Sequence, residues 1–314
     1  GHTFSIRYMD VGQADAALVE CDGHYMLIDG GNTDQADTVA AYLEEQGIDH
    51  LDYLVCTHSH DDHCGGLPGA LAAVEVDTVV CSVTDSDMRA FQSFVSAVED
   101  KGLTITVPSP GDTWSLGSAE IEVIGPIKET SVINDQSIVL RVTYGDVAFL
   151  LVGDAGTTEM EDIMEAGYDA TCDVLKTGHH GSRDSTTAEL LQAVEPSYVI
   201  ISCGVNNRFG LPDAQVLTDE YFDFCYEAVN GESGEVSFDS GYDARMLTFN
   251  ADGTGYLQVN ESTQRGYSFA MDGSYLCILS FDDGGEGSIT LYADRGEALP
   301  GSVEGSIWLA LSLE

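Results

Sequence analysis

Apolar and polar positions first alternate in short, strand-like runs and then recur at helical spacing. Residues 4–10 alternate as a half-buried strand does, and Ala16-Ala17-Leu18-Val19 and Tyr25-Met26-Leu27-Ile28 predict two more strands. Asp29-Gly30-Gly31-Asn32 is a turn, and residues 37–46 carry helical periodicity that stops at Gly47. Residues 51–56 are a short apolar run of the kind buried on both faces of a sheet, and they deliver the chain into His58-Ser59-His60-Asp61-Asp62-His63. A short helix over 67–73, a strand over 78–82, a helix over 86–100 and a strand over 103–107 follow, ending at Pro108-Ser109-Pro110-Gly111-Asp112.

The second stretch repeats the rhythm. Strands over 121–124, 138–143 and 147–152 lead to Gly153-Asp154 and a helix over 157–165. A strand over 173–176 runs into Gly178-His179-His180-Gly181-Ser182; a helix with Thr186 and Glu189 at capping-box spacing, a strand over 198–202 and a helix over 213–229 complete it. Two similar halves that mix strands and helices predict an α/β fold of two sheets packed face to face with helices outside. From about residue 252 the sequence is Gly-rich and strand-only, ending in Ile307-Trp308-Leu309-Ala310-Leu311. The expected domains are a main body over 3–250 and a small β-rich appendage over 251–314.

Charge narrows the function classes. Eleven Lys and Arg against 54 Asp and Glu give a formal charge of −43, and nucleic-acid affinity comes largely from basic residues that neutralise phosphates. Tight binding to long nucleic acid is therefore not expected. The charge reads either as a plain solvated surface or as the surface of a secreted or salt-tolerant protein. Cys56, Cys81, Cys203 and Cys277 lie inside apolar runs, where cysteine acts as a small buried hydrophobe. No CxxC pair points to a thiolate zinc site, and reduced thiols suit a cytoplasm or an anaerobic exterior. No stretch approaches the roughly 20 apolar residues of a membrane span. The chain opens at Gly1 directly before a strand-like segment, as one trimmed of a leader would. A secreted or cell-surface location is favoured over the cytoplasm.

Candidate chemistry sits at three strand ends. His58, His60 and His63 fall within six residues, interleaved with Asp61 and Asp62. Imidazole and carboxylate are the ligands a borderline divalent ion such as zinc prefers, and a loop at a strand end lets alternate side chains converge. Asp154 ends a buried strand; alone it reads as a helix cap, beside the histidines as a bridging ligand. His179-His180 sit between glycines at another strand end. Together these supply ligands for two divalent ions, Zn2+ or Mn2+, and such a pair can polarise a phosphoryl or carbonyl oxygen while generating a hydroxide. His2 lies at the terminus, and His24 and His50 read as ordinary surface turns.

The pattern His-x-His-x-Asp-His over 58–63, followed by Gly65-Gly66, resembles the signature of the metallo-β-lactamase superfamily. That resemblance implies a four-layer αββα sandwich with the metal site at one edge of the sheets. Asp10-Val11-Gly12-Gln13-Ala14-Asp15-Ala16, Leu27-Ile28-Asp29-Gly30-Gly31 and Leu175-Lys176-Thr177-Gly178-His179-His180-Gly181-Ser182 are similar to the soluble hydrolase domain of the ComEC/Rec2 competence proteins and to related phosphorylcholine esterases. The resemblance covers about residues 3–250 and not the appendage. It implies that His58 and His60 hold one metal, that Asp62 and His63 hold the other, that Asp154 bridges them and that His179 is the late histidine ligand. Asp62 and His180 are the residues it implies for catalysis, with His180 either a ligand in place of His179 or a donor to the substrate oxyanion. Asp29 is expected to orient the metal loop. Asp15, Gln13, Ser182 and Arg183 are expected to line the site, with Asn134-Asp135-Gln136-Ser137 where many members place another histidine.

One departure stands out: Asn207-Arg208-Phe209-Gly210-Leu211-Pro212 carries Leu211 where the pattern has a histidine. Leucine donates no proton, so leaving-group protonation or phosphate recognition must differ. The leading expectation is a phosphodiesterase or nuclease type of hydrolase acting on a small-molecule or polymer phosphodiester. A lactamase- or lactonase-type amide or ester hydrolase, and a degenerate binding module, are the alternatives.

Overall fold

The computed structural model describes residues 3–204 and 207–212, and beyond them the pairing of strands between residues 234 and 313. The expected helix over 213–229 lies outside the described residues. The chain divides into two units, Gly1–Leu211 and Pro212–Glu314.

The first unit has two sheets. The first runs in the order β1 (Phe4–Tyr8), β2 (Ala17–Cys21), β3 (His24–Ile28), β4 (His50–Cys56), β5 (Glu75–Cys81) and β6 (Ile105–Thr106). β1 to β3 form an antiparallel meander, and β3 to β6 are parallel. The second sheet contains β7 (Thr113–Leu116), β8 (Ala119–Gly125), β9 (Val139–Tyr144), β10 (Val147–Leu151), β11 (Val174–Lys176) and β12 (Tyr198–Ile200), with β10 to β12 parallel. β7 was not expected from the sequence; its four residues carry a single fully buried side chain, Leu116, too little to make a pattern.

Side-chain alternation builds the layers. On β2, β3 and β4, Leu18, Leu27 and Leu54 face one core while Val19, Met26, Ile28 and Val55 face another. The first core is closed by α1 (Ala36–Glu45), the single turn α2 (Asp61–Cys64), α3 (Leu67–Ala73) and α4 (Arg89–Asp100) through Leu43, Cys64, Leu67, Phe91 and Phe94. The second lies between the sheets, where Ile121, Val123, Leu140 and Val142 meet the first sheet. The third lies under α5 (Thr157–Glu165) and α6 (Ala188–Val194), with Leu150, Val152, Met160, Ile163 and Val194. Three cores between four layers give the αββα sandwich, and strands apolar on both faces read as continuous apolar runs for that reason.

Smaller expectations shift. α4 starts at Arg89, after Met88, where residue 86 was expected. α6 is capped by Thr187, whose Oγ1 accepts from Leu190 N at 3.2 Å. Thr186 is buried and closes the preceding turn through its own amide, which donates to Ser182 O. His24 and His50 open β3 and β4 rather than sitting in turns, paired with Asp52 at 2.8 Å and Asp77 at 3.0 Å.

The second unit is a seven-stranded antiparallel sheet: β13 (Gly234–Asp239), β14 (Ala244–Phe249), β15 (Thr254–Asn260), β16 (Thr263–Asp272), β17 (Leu276–Phe281), β18 (Glu286–Tyr292) and β19 (Trp308–Leu313). β14 pairs with β15 across residue 250. The division between units therefore falls at Leu211/Pro212, not at the expected 250/251. Among the described residues no helix is long and apolar enough to cross a membrane.

Glu159 on α5 gives a check on this packing. It is 2% exposed, its Oε1 accepts from Ile127 N at 2.7 Å, and burial pushes its carboxyl up from 4.5 to about 7. An acid whose pKa is raised by folding contributes stability that is complete below its unfolded pKa and is lost as pH rises through the folded one. Glu159→Gln keeps an acceptor for Ile127 and never ionises. Its Tm is expected to exceed the parent's at pH 8, and thermal scans between pH 5 and 8 should show the gap closing as the pH falls. A gap independent of pH would contradict this.

Candidate metal centre

The site forms where the parallel strands of both sheets end. Asp29 follows β3, His58 follows β4, Asp154 follows β10, and the Gly178–Gly181 turn follows β11. Backbone hydrogen bonds fasten the first of these loops together: Asp29 N donates to Val55 O, Gly30 N to His63 O, Asp15 N to Asp62 O and Gly66 N to Gly31 O, all at 2.8–3.0 Å. The approach is too close for a side chain at Gly66, where a Cβ would sit 1.9 Å from Gly30 O. That explains the paired glycines on either side of the histidine loop.

Asp29, expected to orient the metal loop, is buried at φ +59°. One carboxylate oxygen accepts from Thr57 N at 2.8 Å; the other accepts from Thr57 Oγ1 at 2.8 Å and from His63 Nδ1 at 2.7 Å. Since a carboxylate only accepts, His63 Nδ1 carries the proton and Nε2 is turned inward. Thr57 Oγ1 has spent its hydrogen on Asp29, so it accepts from His58 Nδ1 at 3.2 Å, and His58 Nε2 also faces inward. Ser137 Oγ lies 3.2 Å from His58 Nδ1 and accepts from Asp154 N at 3.0 Å, tying the two sheets together at the site.

Two triads of ligand atoms result: His58, His60 and Asp154, and Asp62, His63 and His180. His58 Nε2 lies 3.0 Å from His60 Nδ1 and 3.9 Å from Asp154 Oδ2. His180 Nε2 lies 3.2 Å from Asp62 Oδ2 and 3.9 Å from Asp154 Oδ2, which places Asp154 between the triads. His180 Nδ1 donates to Ser202 O at 2.9 Å and faces Asp15 Oδ1 at 3.5 Å. His179 and His180 both have positive φ, 48° and 56°, a strained pair of the kind found at functional sites.

The donor set fits divalent ions on a specific observation. His63 Nε2 and Asp154 Oδ1 are both buried and 3.1 Å apart, yet neither has a hydrogen-bond partner. Orphaned buried polar atoms are costly, and a cation near both would satisfy them. The electrostatics agree. Burial lowers the His63 imidazole, but Asp154 and Asp29 outweigh it and hold its pKa well above the usual range. Burial raises the Asp154 carboxyl, but His63, His180 and His58 hold it well below the carboxylate range. His58 and His60 are pushed down, chiefly by burial. His180 is raised to about 9, where Asp15 and Asp62 outweigh burial.

The expected site residues do not all converge. His180, expected for catalysis, completes the second triad, while His179, expected as the ligand, is 38% exposed with Nε2 4.0 Å from Asp154 Oδ2. Both histidines have left-handed backbone, and of the two it is His180, the alternative ligand, that is buried. Asn134 stands beside His179, its Nδ2 3.5 Å from Nδ1. Gln13 Oε1 accepts from Gly204 N at 2.8 Å, so Gln13 braces the loop after β12. Ser182 is buried and its Oγ accepts from Asp184 N at 3.2 Å, closing the histidine turn, while Arg183 is exposed. Leu211 sits in a loop gathered by Asn207, whose Oδ1 accepts from Phe209 N and Leu211 N at 3.1 Å. Sequence reasoning missed Thr57, Ser137 and Lys176; an ammonium at the end of a buried strand in so acidic a chain was the one signal available.

A fold of two mixed sheets flanked by helices, with this His/Asp cluster at the strand ends, defines the class. The chain belongs to the metallo-beta-lactamase superfamily, whose family model matches residues 9–205. Within it the chain is similar to ComE operon protein 3 of Bacillus subtilis, 27% identical over 231 residues that span 68% of this chain and 30% of that protein. It is also similar to Recombination protein 2 of Haemophilus influenzae, 29% identical over 221 residues, 68% of this chain and 26% of the relative. The chain thus spans under a third of these curated relatives. Among solved structures it resembles the metallo-beta-lactamase fold protein YhfI from Bacillus subtilis, with a TM-score of 0.46 and 14% identity over 69% of this chain and 93% of that one.

Asp29→Asn tests the local design. Asparagine tolerates a positive φ, so the exchange removes charge without straining the turn. Loss of a partner carboxylate of this kind weakens metal binding about 10–100-fold. Zinc competition with a chromophoric chelator should register that loss while circular dichroism stays unchanged. Unaltered affinity would contradict the orienting role.

Proposed function

We propose that this chain is a hydrolase that uses two divalent ions, zinc or manganese, to cleave a phosphodiester. The observation that carries the reading is the shared position of Asp154 between two triads, with a buried, partnerless carboxylate oxygen facing an equally partnerless imidazole nitrogen. His58, His60 and Asp154 would hold one ion, and Asp62, His63 and His180 the other. When bound, such a pair polarises the substrate oxygen and lowers the pKa of water.

The protein's own residues orient, exclude and carry protons. Asp29 and Thr57 fix His63 and His58, while Ser202 O fixes the tautomer of His180. His179 is half-buried beside Asp154 and takes over the protonation of the leaving oxygen at Nε2, the work that Leu211 cannot do. The motif resemblance to the ComEC/Rec2 hydrolase domain and to phosphorylcholine esterases at residues 10–16, 27–31 and 175–182 is what favours a phosphodiester over a lactam. The charge of −43 favours a small substrate or a surface-polymer headgroup over long nucleic acid, and suits a secreted or surface setting.

Purified protein is expected to take up about two equivalents of zinc or manganese, and His60→Ala to lose activity on the order of 100-fold or more. A side-by-side assay of bis-p-nitrophenyl phosphate, p-nitrophenyl phosphorylcholine, single-stranded DNA and nitrocefin checks the substrate class. Turnover of either phosphodiester ester with nitrocefin untouched is the expected result. Turnover of nitrocefin alone would overturn it.

A further inference from the structure

Lys176 is the one buried Lys or Arg among the described residues, 4% exposed in a chain with 54 acidic residues. It ends β11, directly before the turn that carries His180. Its Nζ is paired with Asp15 Oδ2, and it also donates to Thr177 O at 2.9 Å. Asp15 comes from the loop between β1 and β2, so one ammonium ties the first sheet to the peptide that launches the histidine turn of the second. The ion pair is closed to water: Asp15 is 6% exposed.

The geometry beyond Asp15 gives this pair a direction. With Oδ2 held by Lys176, Oδ1 lies 3.5 Å from His180 Nδ1 without a hydrogen bond of its own, and Asp15 is also grouped with His63 and Asp154 among the potential ligands. His180 Nε2 in turn faces Asp62 Oδ2 at 3.2 Å. A cavity of about 20 Å³, room for one water molecule, lies against Lys176, Asp15, Asp29, Thr57 and Tyr8. The two carboxylates lining it, Asp15 and Asp29, are those that stand behind His180 and His63. Lys176 is the only cation on its wall.

We propose that Lys176 is a positioning residue: through Asp15 it sets the orientation of His180 and thereby the affinity of the second of the two metal positions. The proposal rests on the two-ion reading given above. Partners behind a ligating histidine fix its ring and raise its basicity, and their loss weakens metal binding about 10–100-fold. The competing explanation is that Lys176 only neutralises Asp15, since a buried carboxylate left without its cation is strongly destabilising.

Four proteins separate these: the parent, Lys176→Met, Asp15→Asn, and the double variant. Each is measured by thermal unfolding of the metal-free protein, by zinc competition for each equivalent, and by the visible spectrum of the cobalt-loaded form. Lys176→Met is expected to lower the metal-free Tm and to weaken the second equivalent about 10–100-fold, leaving the first unchanged. The double variant buries no unpaired charge and should recover Tm. Its second equivalent should stay weak and its cobalt spectrum altered, because an unanchored amide does not hold His180. A double variant with the parent's affinity and spectrum would overturn the proposal and leave the pair a stability device. A parent that binds fewer than two ions would instead overturn the two-ion reading, and the role of Lys176 with it.

Discussion

The structure turns on keeping Asp154 charged where two sheets meet and water does not reach. Its side chain is 2% exposed, with His58, His63 and His180 around it and Ser137 Oγ accepting from its backbone amide. An isolated carboxylate there would be prohibitively costly, so its surroundings must be arranged around it. Each imidazole that faces it is itself held from behind: His63 by Asp29, His58 by Thr57, His180 by Ser202 O with Asp15 beside it. The centre is therefore two nested rings of polar groups, and the outer ring decides where the inner ring points.

That arrangement explains the scaffold. Loops at the carboxyl ends of parallel strands deliver side chains to one edge while the strands stay rigid in three apolar cores. Because the two sheets contribute different members of the cluster, any shift between them would separate Asp154 from His63. The Lys176–Asp15 pair and the Ser137 hydroxyl both span that seam. Tight glycine contacts such as Gly66 against Gly30 lock the histidine loop from the other side.

Much of this was legible in the chain itself. Strands apolar on both faces announced a sandwich, and the density of His and Asp at three strand ends announced the site, because both signals are local. Which of His179 and His180 faces the cluster stayed open in the sequence: two adjacent histidines between glycines carry the same side chain, and only the left-handed backbone tells them apart. Lys176 and Asp15 lie 161 positions apart, so nothing local reports their pairing. The unit boundary was misplaced for a related reason, since β13 and β14 look like any strands until their pairing with β15 is known.

Diffraction data collected on either side of the zinc absorption edge, from crystals grown with zinc, test the central claim most directly. Two anomalous peaks are expected, one within bonding distance of His58 and His60, the other of Asp62, His63 and His180, with Asp154 touching both. A single peak, or a peak coordinated by His179 with His180 turned away, would contradict it.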